Sequence, residues 1–287
     1  MIYYLATHPH RETVGGFLRT WGRSLAGRMR ILSYETVLWQ RSLPAGTYIF
    51  SDLERLGPAQ TRAAARVWEQ LRRAGPSWRL LNHPERSLRR FELQRTLVDA
   101  GWHAFRLWRA VDLSAPYRLP AFIRYEPDHK GSLTPLLHSR REVERALARL
   151  LSRGISLKEL LIAEFCDTAD ANGLYRKYSA FMVDGQIVPR LMDISRRWML
   201  KVPDLLDPDC AREELAYLER NPHQAWLREV FAMARLEYGR IDYSLLGGKP
   251  QVWEINTNPI VMQEPGRYDP RHLPAQEWFA PRICRAF

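Results

Sequence analysis

The stretch VWEINTNP, residues 252–259, decides how the chain is read. Successive side chains of a strand point to opposite faces, so Glu254 and Asn256 share one face while Trp253 and Ile255 share the other. A carboxylate and an amide on one face at a strand end are hard oxygen donors, the kind that hold Mg²⁺. The same residues also read as an ordinary strand closing in an Asn/Thr/Pro turn with a solvated outer face. The residues upstream bear on that choice. RIDYSLLGGKPQVWEIN puts Asp242 on a preceding strand, and Gly247-Gly248 is a hairpin turn that brings the chain back beside it. Asp242, Glu254 and Asn256 can therefore converge at one end of a two-stranded unit. Two anionic donors and an amide there suit one or two Mg²⁺ ions shared with a polyphosphate.

The composition narrows the classes. With 287 residues, 46% of them hydrophobic, the chain can bury a sizeable core in one large or two modest domains. No apolar run is long enough to span a bilayer, so no membrane role is expected. The opening MIYYLATHPHRE lacks a basic segment followed by an apolar one and does not read as a secretory signal. Cys166, Cys210 and Cys284 are odd in number and widely spaced, with no CxxC or Cys/His cluster. A disulfide framework and a zinc site are not expected, and a reducing cytoplasm is the simplest location. The net charge of +11 invites a nucleic-acid partner. Its arginines, however, are spread through TRAAARVWEQLRRAG and SRREVERALARLLSRG, where they occupy the polar faces of amphipathic helices. Attraction of an anionic substrate is the better expectation, with nucleic acid not the main partner.

Along the chain, IYYLAT, MRILSY, TYIFSD and SWRLLN read as strands, and GPAQTRAAARVWEQLRRAG as a helix stopped by Gly75 and Pro76. This alternation predicts a small parallel-sheet α/β domain over residues 1–82. A helix over about 87–100 and strands in LPAFIRYE and ELLIAEF follow. LYRKYSAFMVDGQIVPRLMD is a hairpin turning at Asp184-Gly185, and a long helical region, broken at Asn221-Pro222, precedes the final hairpin. From Pro265 the chain is rich in proline and charge and carries no legible motif.

The ordered set of Asp242, the Gly-Gly turn and Glu254-x-Asn256-x-Asn-Pro resembles the ATP-grasp superfamily, in particular the glutathione synthetase type of carboxylate–amine ligase. The resemblance covers about residues 82–262. It implies a two-lobed grasp domain over 83–264, α+β in its central part, with its hinge near 164–170, followed by a tail over 265–287. It also implies Asp242, Glu254 and Asn256 as Mg²⁺ ligands bridging the phosphates of ATP. LPAFIRYEPDHKGS looks like the strand and loop lying over the nucleotide, where the family usually has a phosphate-binding lysine and this chain has Arg124. LLIAEFCDT looks like the hinge, with Glu164, Phe165 and Cys166 beside the adenine and either Asp167 or Asp170 on the ribose. Cys166 reads as packing and not as a nucleophile. Lys177 and Arg190 alternate with apolar residues on the two strands of the 174–193 hairpin and can face the phosphates or a carboxylate substrate. The implied activity is ATP-dependent ligation of a small-molecule or peptide carboxylate to an amine through an acylphosphate. The alternatives are a small-molecule kinase of the same family, or a non-catalytic basic protein binding nucleic acid or other anions.

Overall fold

The apolar run Ile2–Ala6, buried on both faces, forms an inner strand of a parallel sheet at the start of the chain. The computed structural model describes residues 1–40, 42–112 and 114–287. Strands β1 (Ile2–Ala6), β2 (Met29–Ser33), β3 (Gly46–Phe50) and β4 (Trp78–Leu81) lie in the order β2-β1-β3-β4, all parallel, and β1 is buried throughout. The helix Pro58–Ala74 crosses between β3 and β4, with proline in its first turn and Gly75 at φ +121° just past its end.

Next comes a small antiparallel sheet of β5 (Leu107–Arg109), β6 (Ala121–Tyr125) and β7 (Leu160–Glu164), ordered β5-β7-β6. The helix Arg140–Ser152 covers it, and its first turn is capped by Ser139 accepting from the Glu142 N–H. The segment after β6 pairs back on it only through isolated bridges, Arg124 to Ser132 and Ala121 to Leu137.

The larger antiparallel sheet runs β11-β10-β8-β9, from β8 (Tyr175–Val183), β9 (Gln186–Ser195), β10 (Tyr238–Leu246) and β11 (Lys249–Asn256). Both hairpins turn through two residues of positive φ, Asp184-Gly185 and Gly247-Gly248, which matches the right-handed twist of the strands they join. One face of this sheet, with Tyr178, Ala180, Ile241, Tyr243 and Val252, packs on the helices Arg90–Asp99, Pro208–Arg220 and Gln224–Ala234. The other face carries the polar site. The segment after Pro265 ends in the helix Leu273–Ala286, which buries Phe279 and Ile283 in a core shared with Phe181, Val188 and β1. No helix among the described residues is long and apolar enough to cross a membrane.

Residues just after β11 lock the parallel sheet to the larger one. Asn258 Oδ1 accepts from Tyr4 Oη at 2.9 Å and from Thr13 Oγ1 at 2.6 Å, and Thr257 Oγ1 accepts from the Leu53 N–H at 2.9 Å. Asn82, at φ +64°, accepts from the N–H groups of Glu237 and Tyr238 and donates to the carbonyls of Phe50 and Tyr238. Both asparagines are almost fully buried, and their hydrogen bonds are what makes that burial tolerable.

Candidate active site

Antiparallel pairing sets Asp242 directly opposite Glu254, and Arg240 directly opposite Asn256, so all four side chains share one face. The register shifts between Asp242 and Tyr243, leaving Trp253 without a cross-strand partner. Trp253 therefore does not join the apolar face, as simple alternation would place it. It lines the cleft instead, and its indole N–H donates to Ser244 Oγ at 2.9 Å.

Each expected metal ligand has an internal partner. Asp242 Oδ1 accepts from Ser179 Oγ at 2.8 Å and Arg240 Nε at 3.0 Å, and Asn256 Oδ1 accepts from the Asn258 N–H at 2.8 Å. Glu254, 3% exposed, sits inside a cationic cage. Arg90 pairs with it, Arg124 Nη2 lies 3.0 Å away, His129 Nδ1 3.3 Å and Lys201 Nζ 4.0 Å. Burial opposes its charge, yet Arg90, His129 and Lys201 together hold its pKa well below the carboxylate range. Burial, aided by the neighbouring Arg90, brings Arg124 down to about 10.

These residues fit a metal-bound polyphosphate. Asp242, Glu254 and Asn256 present hard oxygen atoms, and Arg90 and Arg124 each keep a buried Nε with no partner among the described residues. Positive charge here exceeds what the two carboxylates can neutralise. Among the described residues no group of three or more His, Cys, Asp and Glu could hold a metal, so a metal here would rest on two carboxylates and an amide.

The cleft continues from Asp242 and Glu254 past Lys177 to Phe165, Cys166 and Thr168 at the end of β7. It is pinched to about 80 Å³, with the Trp198 ring 5.0 Å from Phe122 and 5.7 Å from Phe165. Burial pushes the Cys166 thiol up to about 11, which suits packing and not nucleophilic attack. Lys177 Nζ faces Asp193 at 3.0 Å and the Leu200 carbonyl at 3.1 Å.

Other expected residues lie apart from the cleft. The Glu164 carboxylate points into the small lobe, where it accepts from the N–H groups of Arg106 and Arg118, from Trp108 Nε1 and from Arg118 Nε. Only its main chain is left for a hinge contact. Asp170 is committed to Arg176 at 2.6 Å and to the N–H groups of Asn172 and Leu174, while Asp167 is exposed and accepts from the Ala169 N–H. Arg190 stands further along the sheet, on the wall of a second cavity.

Sequence reading missed Arg90, Lys201, Arg240 and Glu54. Arg240 was legible, since period-2 alternation puts it on the face of Asp242. Arg90 opens a helix and Lys201 lies in an irregular segment, so neither has a pattern to betray it. Glu54 follows β3 and reaches His129 Nε2 at 2.9 Å, tying the parallel domain to the loop over the cleft.

No family model matches this sequence, and no curated protein matches it. Solved structures do. ATP-grasp ligase PsnB, complexed with a phosphomimetic precursor variant, Mg and ADP, is 12% identical with a TM-score of 0.56, over 100% of this chain and 97% of that one. D-alanine–D-alanine ligase from Bacillus anthracis is 10% identical, TM-score 0.53, over 99% and 98%. A RimK domain ATP-grasp protein from Sphaerobacter thermophilus is 13% identical, TM-score 0.52, over 100% and 99%. The chain has the ATP-grasp fold, an α/β architecture in which a parallel sheet precedes two antiparallel ones.

Proposed function

We propose that this chain is an ATP-dependent carboxylate–amine ligase acting through an acylphosphate, with residues 1–82 preceding a grasp domain over 83–264. The observation that carries the reading is the pairing of Asp242 with Glu254 across the β10–β11 hairpin, beside a cluster of four cationic side chains of which Arg90 and Arg124 are buried. The solved structures that share the fold include ligases, one of them holding Mg and ADP.

In this reading Asp242, Glu254 and Asn256 would hold Mg²⁺, which when bound neutralises phosphate charge and orients the terminal phosphoryl group. The chain's own groups do the rest. Arg90, Arg124 and Lys201 exchange the Glu254 carboxylate for phosphate oxygens, and two guanidinium groups supply bidentate donors. Lys177 and Arg240, beside Asp242, stabilise the charge that develops during transfer. The main chain at Phe165 and Cys166 faces the adenine. A substrate carboxylate oxygen attacks the terminal phosphorus and ADP leaves. The amine nitrogen then attacks the acyl carbon, and phosphate departs with the original carboxylate oxygen.

The test is to incubate the chain with Mg²⁺, ATP and pooled carboxylates and amines, the carboxylates carrying heavy oxygen. ADP together with phosphate bearing one label is expected. AMP and pyrophosphate, or unlabelled phosphate, would overturn the reading, and phosphate retained on an acceptor without need of amine would make the chain a kinase.

A further inference from the structure

Beyond Asp242 the cleft opens into a second cavity of about 470 Å³, walled by β9, the Pro208–Arg220 helix and the segment 260–276. Lys177, Lys201 and Asp242 line both spaces. Most charges on the wall are already paired: Lys177 with Asp193 at 3.0 Å, Arg240 with Asp242 at 3.0 Å, Asp269 with Arg271 at 2.7 Å.

Arg190 differs. The register of β8 and β9 shifts at Ser179/Ala180, which makes Arg190 the extra residue of a bulge and aims it out of the ladder. It is 4% exposed, and no carboxylate among the described residues forms an ion pair with it. Its Nε donates to the Val261 carbonyl at 3.0 Å, its Nη2 to Tyr268 Oη at 3.0 Å, and its plane lies 4.6 Å over the Phe279 ring. Nη1 has no partner among the described residues. A buried cation without a counter-charge is costly, and an anionic ligand would remove that cost.

Two more donors stand on the same wall. Tyr268 Oη accepts from Arg190 and from the Gln263 N–H at 2.7 Å, so its own hydrogen is free to donate. His272 Nδ1 is paired with Glu214, and its Nε2 is buried without a partner. The hydrogen bond to Glu214 raises the imidazole pKa and favours the form in which Nε2 carries a proton. Gln276 Oε1 is an unpaired acceptor in the same group. With His272 offset by Glu214, Arg190 is the buried cation on this wall left without a counter-charge among the described residues, and a ligand carboxylate would supply one; Arg267, on the same wall, is exposed to solvent.

We propose that this cavity is the seat of the amine substrate and that the amine carries its own carboxylate, as an α-amino acid or a peptide with a free C-terminus does. Arg190, Tyr268 and His272 receive the carboxylate, and Gln276 receives an N–H of the same molecule. The assignment of this ligand as the amine rests on the ligase reading. β8 separates β9 from β10, so Arg190 and Asp242 belong to strands about 10 Å apart. That span fits a substrate of amino-acid size whose other end reaches the shared wall.

The experiment reads binding and not turnover. The melting temperature is measured with Mg²⁺ and a non-hydrolysable ATP analogue, then with each standard amino acid, a set of alanyl dipeptides and the matching C-terminal amides at millimolar concentration. A subset of free acids should raise the midpoint and their amides should not. In Arg190→Met the same acids should bind about 100-fold more weakly, as expected when one partner of a buried charge pair is removed. No shift with any free acid, or equal shifts with acids and amides, would overturn the proposal. So would an unchanged response in a folded Arg190→Met chain. The acid–amide comparison on the parent chain decides the matter even where the variant does not fold. The shift produced by the nucleotide analogue alone is read separately, and its absence would count against the ligase reading.

Discussion

Glu54→Gln is the most direct probe of how the parallel domain is coupled to the cleft. Glu54 accepts from Thr257 Oγ1 and pairs with His129 Nε2 at 2.9 Å, its side chain 13% exposed. Burial alone would raise its pKa, but His129 and Thr257 bring it from 4.5 to about 2. Holding a carboxyl that low corresponds to about 3 kcal/mol of stability at neutral pH. The sign follows from the lowered folded value. The contribution is complete above the unfolded value of 4.5 and decays as the pH falls through about 2, with less than half of it left at about pH 3. The His129 pKa is instead raised, burial opposing the pull of Glu254 and Glu54, so its part is present below 6.5 and is lost as the pH rises through the folded value. Urea unfolding followed by tryptophan fluorescence should therefore show Glu54→Gln less stable than the parent by about 3 kcal/mol at pH 6, the gap narrowing steadily towards pH 3. A gap under about 1 kcal/mol at pH 6, or one that does not change on acidification, would refute the coupling.

Glu254→Gln should abolish ATP turnover and also lower the melting temperature, because it leaves Arg90 and Arg124 buried beside a neutral amide, a loss of about 3–5 kcal/mol. Calorimetry beside an ADP assay checks both; turnover near the parent rate would mean the metal site lies elsewhere. Arg124→Ala should reduce the stabilisation by Mg²⁺-ATP, which in the parent is about 2.7 kcal/mol at a hundredfold excess over Kd. An undiminished thermal shift would remove Arg124 from the phosphate site.

How much of this was legible in the sequence differs from residue to residue. Asp242, Glu254 and Asn256 were readable because a two-residue glycine turn fixes the register of a hairpin, and register with period 2 fixes which side chains share a face. The parallel sheet was readable because a strand buried on both faces must be apolar throughout, as β1 is. The Glu254 cage was not. Its members come from the start of a helix, the end of β6, a loop and an irregular segment, and their approach depends on how the two antiparallel sheets close on each other. The direction of the Glu164 carboxylate was equally hidden. At a strand end either face satisfies the pattern, and the N–H groups of Arg106 and Arg118 made the choice. Bulges mark the limit most plainly. One extra residue at Trp253 and one at Arg190 reverse the facing that alternation predicts, and whether a strand takes up that residue is decided by the partner it pairs with. The segment after Pro265 looked featureless because its helix is specified by what it packs against. Phe279 and Ile283 have meaning only beside Phe181 and β1, and local sequence holds no record of a contact that distant.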